Sequence, residues 1–213
     1  MLEKLRLTEI FFSLQGESSR AGFPTVFIRL TGCPLRCQYC DTAYAFKGGK
    51  SFAIAQIIKQ VQGFAASYVC VTGGEPLSQP NSVILLKALC DLGFKVSLET
   101  SGALDVSPVD PRVKKILDIK TPDSGEVDKN FWSNISVLTD HDEIKFVVCS
   151  KNDFDWALSI IKQYDLSYEQ ILFSPSYQQV SSQELSAWLL ESKVPARFQI
   201  QLHKTIWGDE PGN

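Results

Sequence analysis

Three of the six cysteines lie close together, in the spacing Cys33-x-x-x-Cys37-x-x-Cys40. Thiolates are soft ligands that suit zinc, copper(I) and iron–sulfur clusters. A structural zinc site takes four protein ligands, and no second pair of Cys or His stands near these three to complete it. A four-iron cluster held by three cysteines leaves one iron open to a further ligand. The spacing therefore favours an iron–sulfur cluster with a chemical role, and a zinc site or unligated loop cysteines are the alternatives.

The other three cysteines are scattered through apolar segments, at Cys70, Cys90 and Cys149. Free cysteine packs as a small hydrophobic residue, so we expect these three in the core. Clustered thiols bind metal more often than they form disulfides in a reducing compartment, which agrees with a cytoplasmic protein.

Composition indicates a globular chain with one domain, residues 1–213. Hydrophobic residues make up 44%, charged residues 21%, and the net charge is −3. A mildly acidic chain with no Lys/Arg cluster is not expected to bind nucleic acid. The longest uncharged run, Gln60–Gly74, is shorter than the ~20 apolar residues that span a bilayer, and no signal-peptide core is found. We therefore expect a cytoplasmic protein without a membrane partner.

Strands and helices alternate along the chain, which predicts a parallel sheet covered by helices. A complete eightfold barrel typically needs ~250 residues, so we expect an α/β fold with an incomplete, open (β/α) barrel of about six parallel strands. Ser51 is predicted to cap the first helix, whose apolar face begins at Ile54. The candidate strands are Thr25–Leu30, Tyr68–Thr72, Phe94–Glu99, Lys115–Ile119, Glu143–Cys149, Gln170–Ser174 and Arg197–Leu202. The later helices are predicted over Val83–Leu92, Phe154–Tyr164 and Gln183–Leu190.

Three polar loops each follow the carboxyl end of a predicted strand. They are the cysteine loop after Leu30, the Gly73-Gly74-Glu75-Pro76 turn and the Thr100-Ser101-Gly102 segment. Active sites of parallel α/β folds lie at this edge of the sheet. We therefore expect the three loops to form one site.

These motifs resemble those of the radical S-adenosylmethionine superfamily. The resemblance rests on the cysteine spacing with Tyr39 before the third cysteine, on the Gly-Gly-Glu-Pro turn and on Glu99-Thr100-Ser101-Gly102. It implies a 4Fe-4S cluster on Cys33, Cys37 and Cys40, and S-adenosylmethionine as cofactor. The cofactor-binding residues that it implies are Tyr39, Gly73, Gly74, Glu75, Thr100, Ser101, Lys120 and Ser174. Glu75 is expected to accept hydrogen bonds from the cofactor ammonium.

Within the superfamily, the chain resembles the 7-carboxy-7-deazaguanine synthase family. The matching segments are Leu14-Gln15-Gly16-Glu17, Arg29-Leu30-Thr31-Gly32-Cys33, Cys40-Asp41-Thr42 and His203-Lys204. The resemblance implies a lyase that converts 6-carboxy-5,6,7,8-tetrahydropterin to 7-carboxy-7-deazaguanine and ammonia, a step toward queuosine in tRNA. The radical is carried by the cofactor, so no protein residue is assigned as catalytic.

The resemblance also implies where the substrate binds. Arg29 offers a planar fork to the substrate carboxylate. Thr42 is implied as a ligand of Mg²⁺, completed by substrate oxygens and water. The full set implied for substrate binding is Leu14, Gln15, Gly16, Glu17, Arg29, Thr72, His203 and, through its terminal carboxylate, Asn213. The chain has Asp118-Ile119-Lys120 where many members have Ser-Pro-Lys, which leaves Lys120 as a candidate but not Asp118.

Two other functions compete with this interpretation. A short radical activase of a glycyl-radical enzyme shares the cysteine spacing, but it would need a polypeptide groove and no carboxylate-binding arginine. A non-enzymatic iron–sulfur electron carrier would usually have four cysteines and no use for an open iron. The family resemblance implies a flavodoxin-like or ferredoxin-like reductant as partner, and a homodimer.

Overall fold

The computed structural model describes residues 3–208, which form a nine-stranded sheet with five α-helices. The strands are β1 (Lys4–Leu14), β2 (Pro24–Leu30), β3 (Lys50–Ala53), β4 (Tyr68–Gly73), β5 (Lys95–Thr100), β6 (Lys114–Ile119), β7 (Glu143–Val148), β8 (Ile171–Pro175) and β9 (Arg197–Phe198). The helices are α1 (Ile54–Gln62), α2 (Ser82–Asp91), α3 (Lys151–Gln163), α4 (Ser182–Ser192) and α5 (Leu202–Trp207). No helix in this part of the chain is long and apolar enough to cross a membrane.

The sheet is mostly parallel and open, which confirms the predicted incomplete barrel. Its order is β3-β1-β2-β4-β5-β6-β7-β8-β9, and every pair from β2–β4 onward is parallel. Seven strands are therefore parallel, one more than expected, although β9 has only two residues. Because the strands run in one direction, their carboxyl ends and the loops that follow them meet at one edge of the sheet.

Two strands on the β2 side of the sheet were not predicted. β1 pairs antiparallel with β2 and with β3, so the N-terminal segment continues the sheet rather than preceding it. The predicted cap at Ser51 is wrong, because Ser51 lies in β3 and pairs with Arg6. Helix α1 instead begins at Ile54, and the Gln56 side chain accepts a hydrogen bond from the Ala53 amide.

The last predicted strand is also shorter than expected. Only Arg197–Phe198 pair with β8, and Leu202 already begins helix α5. The apolar Ile200 therefore lies outside the sheet, in the short connection between β9 and α5.

The two faces of the sheet differ in polarity, and this difference creates the site. Alternate residues such as Ile28, Val71 and Phe146 belong to the apolar core that packs between the sheet and its helices. The residues between them point to the opposite, concave face, where β2 carries Arg29 and β7 carries Lys145. Because side chains alternate along a strand, one sheet supplies both a hydrophobic core and a polar cavity.

Candidate functional site

A cavity of about 490 Å³ lies on the concave face at the carboxyl edge of the sheet. It brings together residues from the N-terminal strand, the cysteine loop, six parallel strands and the C-terminal helix. Of the residues predicted from the sequence, it is lined by Leu14, Gln15, Gly16, Glu17, Arg29, Cys33, Cys37, Tyr39, Cys40, Thr42, Thr72, Gly73, Gly74, Thr100, Ser101, Lys120, Ser174 and His203. Two predicted residues are not among them, Glu75 and Asn213, and Asn213 lies outside the described residues.

The three clustered cysteines all line this cavity with free thiols. Burial raises the pKa of Cys33, and burial raises that of Cys37 to about 11, with neighbouring thiols adding to both shifts. Within residues 3–208, no three His, Cys, Asp or Glu side chains are close enough to hold a single metal ion. Because all three thiols line one cavity, they can serve as ligands of one cluster. The scattered Cys70 is buried as expected, whereas Cys90 and Cys149 are only half-buried.

The glycine pair after β4 packs directly against the start of the cysteine loop. A Cβ at Gly74 would lie 2.3 Å from the Gly32 oxygen and 2.8 Å from Cys33 Cβ. The Glu75 amide also donates to the Gly32 oxygen, at 2.8 Å. The turn thus needs glycine at position 74 in order to approach the backbone that carries Cys33.

Glu75 has a different place from the one predicted. Its side chain is fully buried and does not line the cavity. The carboxylate accepts hydrogen bonds from the Leu77 amide at 2.9 Å, from the Ser101 amide and hydroxyl at 2.6 Å each, and from the Thr100 hydroxyl at 2.9 Å. In this arrangement Glu75 ties the turn after β4 to the end of β5, and its oxygens are occupied by protein donors rather than turned toward a cofactor ammonium.

Lys120 and Tyr39 form the wall next to the cysteines. The Lys120 ammonium pairs with Asp118 at 3.1 Å and lies 5.6 Å from the centre of the Tyr39 ring. Burial alone would lower the pKa of Lys120, but the Asp118 carboxylate and the nearby cysteines raise it, so the side chain is a cation in the cavity. A cation here can bind a ligand carboxylate.

The Leu14–Glu17 segment lines an adjoining part of the cavity. The Gln15 side-chain Nε2 donates to Glu99 at 3.2 Å, and its side-chain Oε1 accepts from the Glu17 backbone amide at 3.2 Å. The Glu17 carboxylate is bound by Lys145 at 2.6 Å and by Gln201 at 2.9 Å. Burial would raise the pKa of Glu17, but Lys145 and the hydrogen bonds outweigh it, and the pKa lies below its usual value.

Arg29 reaches the same cavity from β2. Its Nε donates to Glu9 at 2.7 Å, and the Tyr44 hydroxyl donates to the same oxygen at 2.8 Å. The guanidinium lies over the Phe11 and Tyr44 rings, 5.7 and 5.9 Å from their centres. In the described part of the chain no acceptor is bound to its two terminal nitrogens, so the planar fork remains available to a ligand.

His203 closes the cavity from the C-terminal helix. A Cβ at Gly16 would lie 2.1 Å from His203 Nδ1, and the Leu202 amide donates to the Gly16 oxygen at 3.0 Å. Gly16 is therefore required for the close contact between the first and last segments of the site.

Sequence reasoning assigned no individual role to several polar residues that line the cavity, among them Glu99, Lys145 and Gln201. Lys145 stands on β7 between Ile144 and Phe146, which both belong to the core, whereas Glu99 on β5 follows the core residue Leu98 and precedes Thr100, which also lines the cavity. A lysine between two core residues of a parallel strand was the signal that could have identified Lys145, whereas β5 is too polar for Glu99 to stand out. Gln201 follows β9 and had no such pattern.

Comparisons with known proteins agree with this geometry. Residues 27–165 match the model of the Radical SAM superfamily. A 7-carboxy-7-deazaguanine synthase of Chlorobaculum tepidum is 44% identical over 97% of this chain and 96% of its own length. One of Koribacter versatilis is 39% identical over 97% of this chain and 98% of its own.

A solved structure supports the fold. The crystal structure of QueE from Escherichia coli superposes with a TM-score of 0.72 and 24% identity, covering 94% of this chain and 95% of that one. The cavity that contains the cysteine loop and the Gly-Gly turn agrees with the superfamily match and with the full-length relatives. The chain therefore belongs to the 7-carboxy-7-deazaguanine synthase family of the radical S-adenosylmethionine superfamily.

Proposed function

We propose that this protein converts 6-carboxy-5,6,7,8-tetrahydropterin to 7-carboxy-7-deazaguanine and ammonia. The observation that carries the proposal is the single cavity, in which the three cysteines share one space with Gln15, Glu17, Arg29 and His203. These polar residues can bind a small heterocycle that bears a carboxylate. The activase alternative is not favoured, because its polypeptide substrate gives no role to these groups, and an electron carrier would need no such cavity.

The cysteine side of the cavity would hold the cofactors. Cys33, Cys37 and Cys40 would bind the 4Fe-4S cluster, and Gly73, Gly74, Thr100 and Ser101 would line the S-adenosylmethionine site with Tyr39, Lys120 and Ser174. When bound, the cluster and S-adenosylmethionine supply a radical that removes a hydrogen atom from the substrate. The chain positions the two molecules and excludes water.

The other side would hold the substrate. The free nitrogens of Arg29 would bind its carboxylate, since Glu9 fixes the guanidinium through Nε only. Glu17 would accept hydrogen bonds from the N–H groups of the pterin ring, with Gln15 beside it. Leu14, Gly16, Thr72 and His203 would shape the remaining walls.

Thr42 would help to bind a magnesium ion together with substrate oxygens. Its hydroxyl lies 3.1 Å from the Asp41 carboxylate, and both residues line the cavity. Mg²⁺ is usually held by one or two carboxylates, with water and ligand oxygens completing its octahedron. The pair therefore offers a better magnesium site than the threonine alone.

The reduction of the cluster would require an external electron donor of the flavodoxin or ferredoxin type. That partner and the homodimer are inferred from the family resemblance, and the cytoplasmic location from composition and cysteine usage; all three stay predictions.

The direct test is anaerobic reconstitution with iron and sulfide, followed by incubation with the carboxypterin, S-adenosylmethionine and a reductant. We expect about four irons per chain and formation of the carboxylated deazaguanine. Cys33→Ala should abolish cofactor cleavage, while the matched Cys90→Ala, outside the cavity, should not. A four-iron protein that cleaves the cofactor but yields no deazaguanine from the carboxypterin would show that the substrate is wrong.

A further inference from the structure

A half-buried lysine on β7, Lys145, lines the candidate substrate site but belongs to none of the motifs found in the sequence. The Lys145 ammonium lies 2.6 Å from Glu17 Oε2 and 3.5 Å from Asp118 Oδ2. The side chains of Lys145 and Glu17 are only 12% and 10% exposed. The two charges therefore meet away from bulk water, where such a pair interacts strongly.

Lys145 and Gln201 together fix the Glu17 carboxylate at two points. Lys145 binds Oε2, and the Gln201 amide donates to Oε1 at 2.9 Å. A carboxylate has about four lone-pair positions, so both oxygens can still accept a bond from a ligand in the cavity. The geometry leaves Glu17 oriented and able to receive N–H donors.

The other charged groups around this pair do not replace Lys145. Asp118 is already paired with Lys120, and Glu99 adds a further negative charge near the lysine. His203 faces Glu17 from the C-terminal helix, but its electrostatic effect on the carboxylate is smaller than that of Lys145. If Lys145 lost its charge, Glu17 would remain buried without its cationic partner, and such an environment favours the protonated form of a carboxyl group.

We propose that Lys145 is a positioning residue that keeps Glu17 ionised and oriented, so that its carboxylate accepts the N–H groups of the substrate ring. The inference rests on the proposed function, because it takes the reduced carboxypterin as ligand. A protonated Glu17 would present a donor on one oxygen, where the ligand itself donates. Loss of the Lys145 charge should therefore weaken binding in a manner that depends on pH.

The test is a calorimetric titration of the carboxypterin into unreduced, reconstituted enzyme with S-adenosylmethionine present, from pH 6.5 to 9. The variants are Lys145→Met, Lys145→Arg and Lys115→Met. Lys115 is a matched control, because it is a buried strand lysine paired with Asp142 at 3.0 Å and does not line the cavity. The Kd of each variant is divided by the Kd of the wild type at the same pH. In this ratio, the effects of protonating the ligand, or groups that both proteins share, cancel.

We expect Lys145→Met to bind at least ~10-fold more weakly at pH 6.5, since each pH unit below a raised carboxyl pKa lowers the ionised fraction tenfold. The ratio should fall toward one as the pH rises and Glu17 ionises. Lys145→Arg should bind within a few-fold of the wild type at every pH, and Lys115→Met should show a constant ratio near one. Glu17→Gln provides a further check, because it should lose affinity equally at all pH values.

Three results would overturn the role of Lys145. The first is an affinity of Lys145→Met that equals that of the wild type at every pH. The second is a loss of affinity in Lys145→Met that is the same at all pH values. The third is a loss of affinity in Lys115→Met as large as that in Lys145→Met. If instead the wild-type enzyme itself does not bind the carboxypterin, the proposed function fails first and the inference fails with it. The two failures are thus distinguished by the wild-type titration alone.

Discussion

Replacing Glu75 by glutamine should destabilise the protein although the side chain keeps its shape. The Leu77 amide donates to one carboxylate oxygen and the Ser101 amide to the other. Either orientation of the new amide therefore places an NH₂ group against a buried backbone N–H, and that donor loses its partner. An unsatisfied buried donor costs roughly 1–3 kcal/mol, and the bonds that remain lose their charge assistance, so we expect about 2–4 kcal/mol in total.

The assay is urea unfolding of the cluster-free protein followed by circular dichroism. With a denaturant dependence of ~2–3 kcal/mol/M for a chain of this size, the midpoint should fall by about 1 M. Glu191→Gln is the matched control, since Glu191 is exposed on α4, and its effect should stay within ~0.5 kcal/mol. Equal midpoints for the two variants would refute the idea that Glu75 braces the turn.

Three further predictions concern other groups of the molecule. Arg29→Ala should weaken carboxypterin binding by about 2–4 kcal/mol, roughly 30- to 1,000-fold in Kd, and Arg29→Lys should recover only part of this affinity. If Arg29→Ala lost the same affinity for a pterin without the carboxylate, the role of Arg29 would be structural. Thr42→Ala should lower turnover and weaken the response of turnover to added magnesium, while the iron content stays unchanged. If the turnover of the wild type were unchanged after chelation of magnesium, a role for the metal would be excluded. Burial would raise the pKa of Glu143, but hydrogen bonds from Ser19 and Arg197 outweigh the effect of burial and lower the pKa below its ordinary value of 4.5. The ionised carboxylate therefore stabilises the fold at pH values above 4.5. Glu143→Gln should therefore be less stable than the wild type near pH 7, with a difference that shrinks as acid protonates the wild-type group; a difference independent of pH would contradict this.

Much of the fold was predictable because buried parallel strands leave a strong pattern in the sequence. The predicted strand Tyr68–Thr72 is short and apolar and is followed by two glycines, and the structure has β4 there, one residue longer. Strand β1 escaped because its burial is irregular and its pairing with β2 shifts register between Leu7 and Glu9. Strand β3 has only four half-buried or exposed residues and depends on β1 for its pairing.

The residues of the candidate site were predictable where they belong to a recognisable motif. They were less predictable where the packing of distant segments determines the position of a side chain. Cys33, Gly74 and Arg29 could be named from their motifs, and all three line the cavity. The position of Glu75 could not be predicted, because its hydrogen-bond partners Thr100 and Ser101 are 25 or more residues away in the sequence. Such contacts are made only when the ends of β4 and β5 come together in the sheet.

The contact between Gly16 and the C-terminal helix has a consequence for biosynthesis. Glu17 and Gln201, which share a hydrogen bond, are 184 residues apart, and the Ser18 amide bonds to Gln199 across a separation of 181. The central parallel strands can begin to pair while the chain is still emerging from the ribosome, but this wall of the cavity must wait for His203. The segment around Glu17 is thus completed by one synthesised 184 residues later, so a chain that stops before Gln199 carries every cysteine of the cluster loop and still lacks one wall of the cavity.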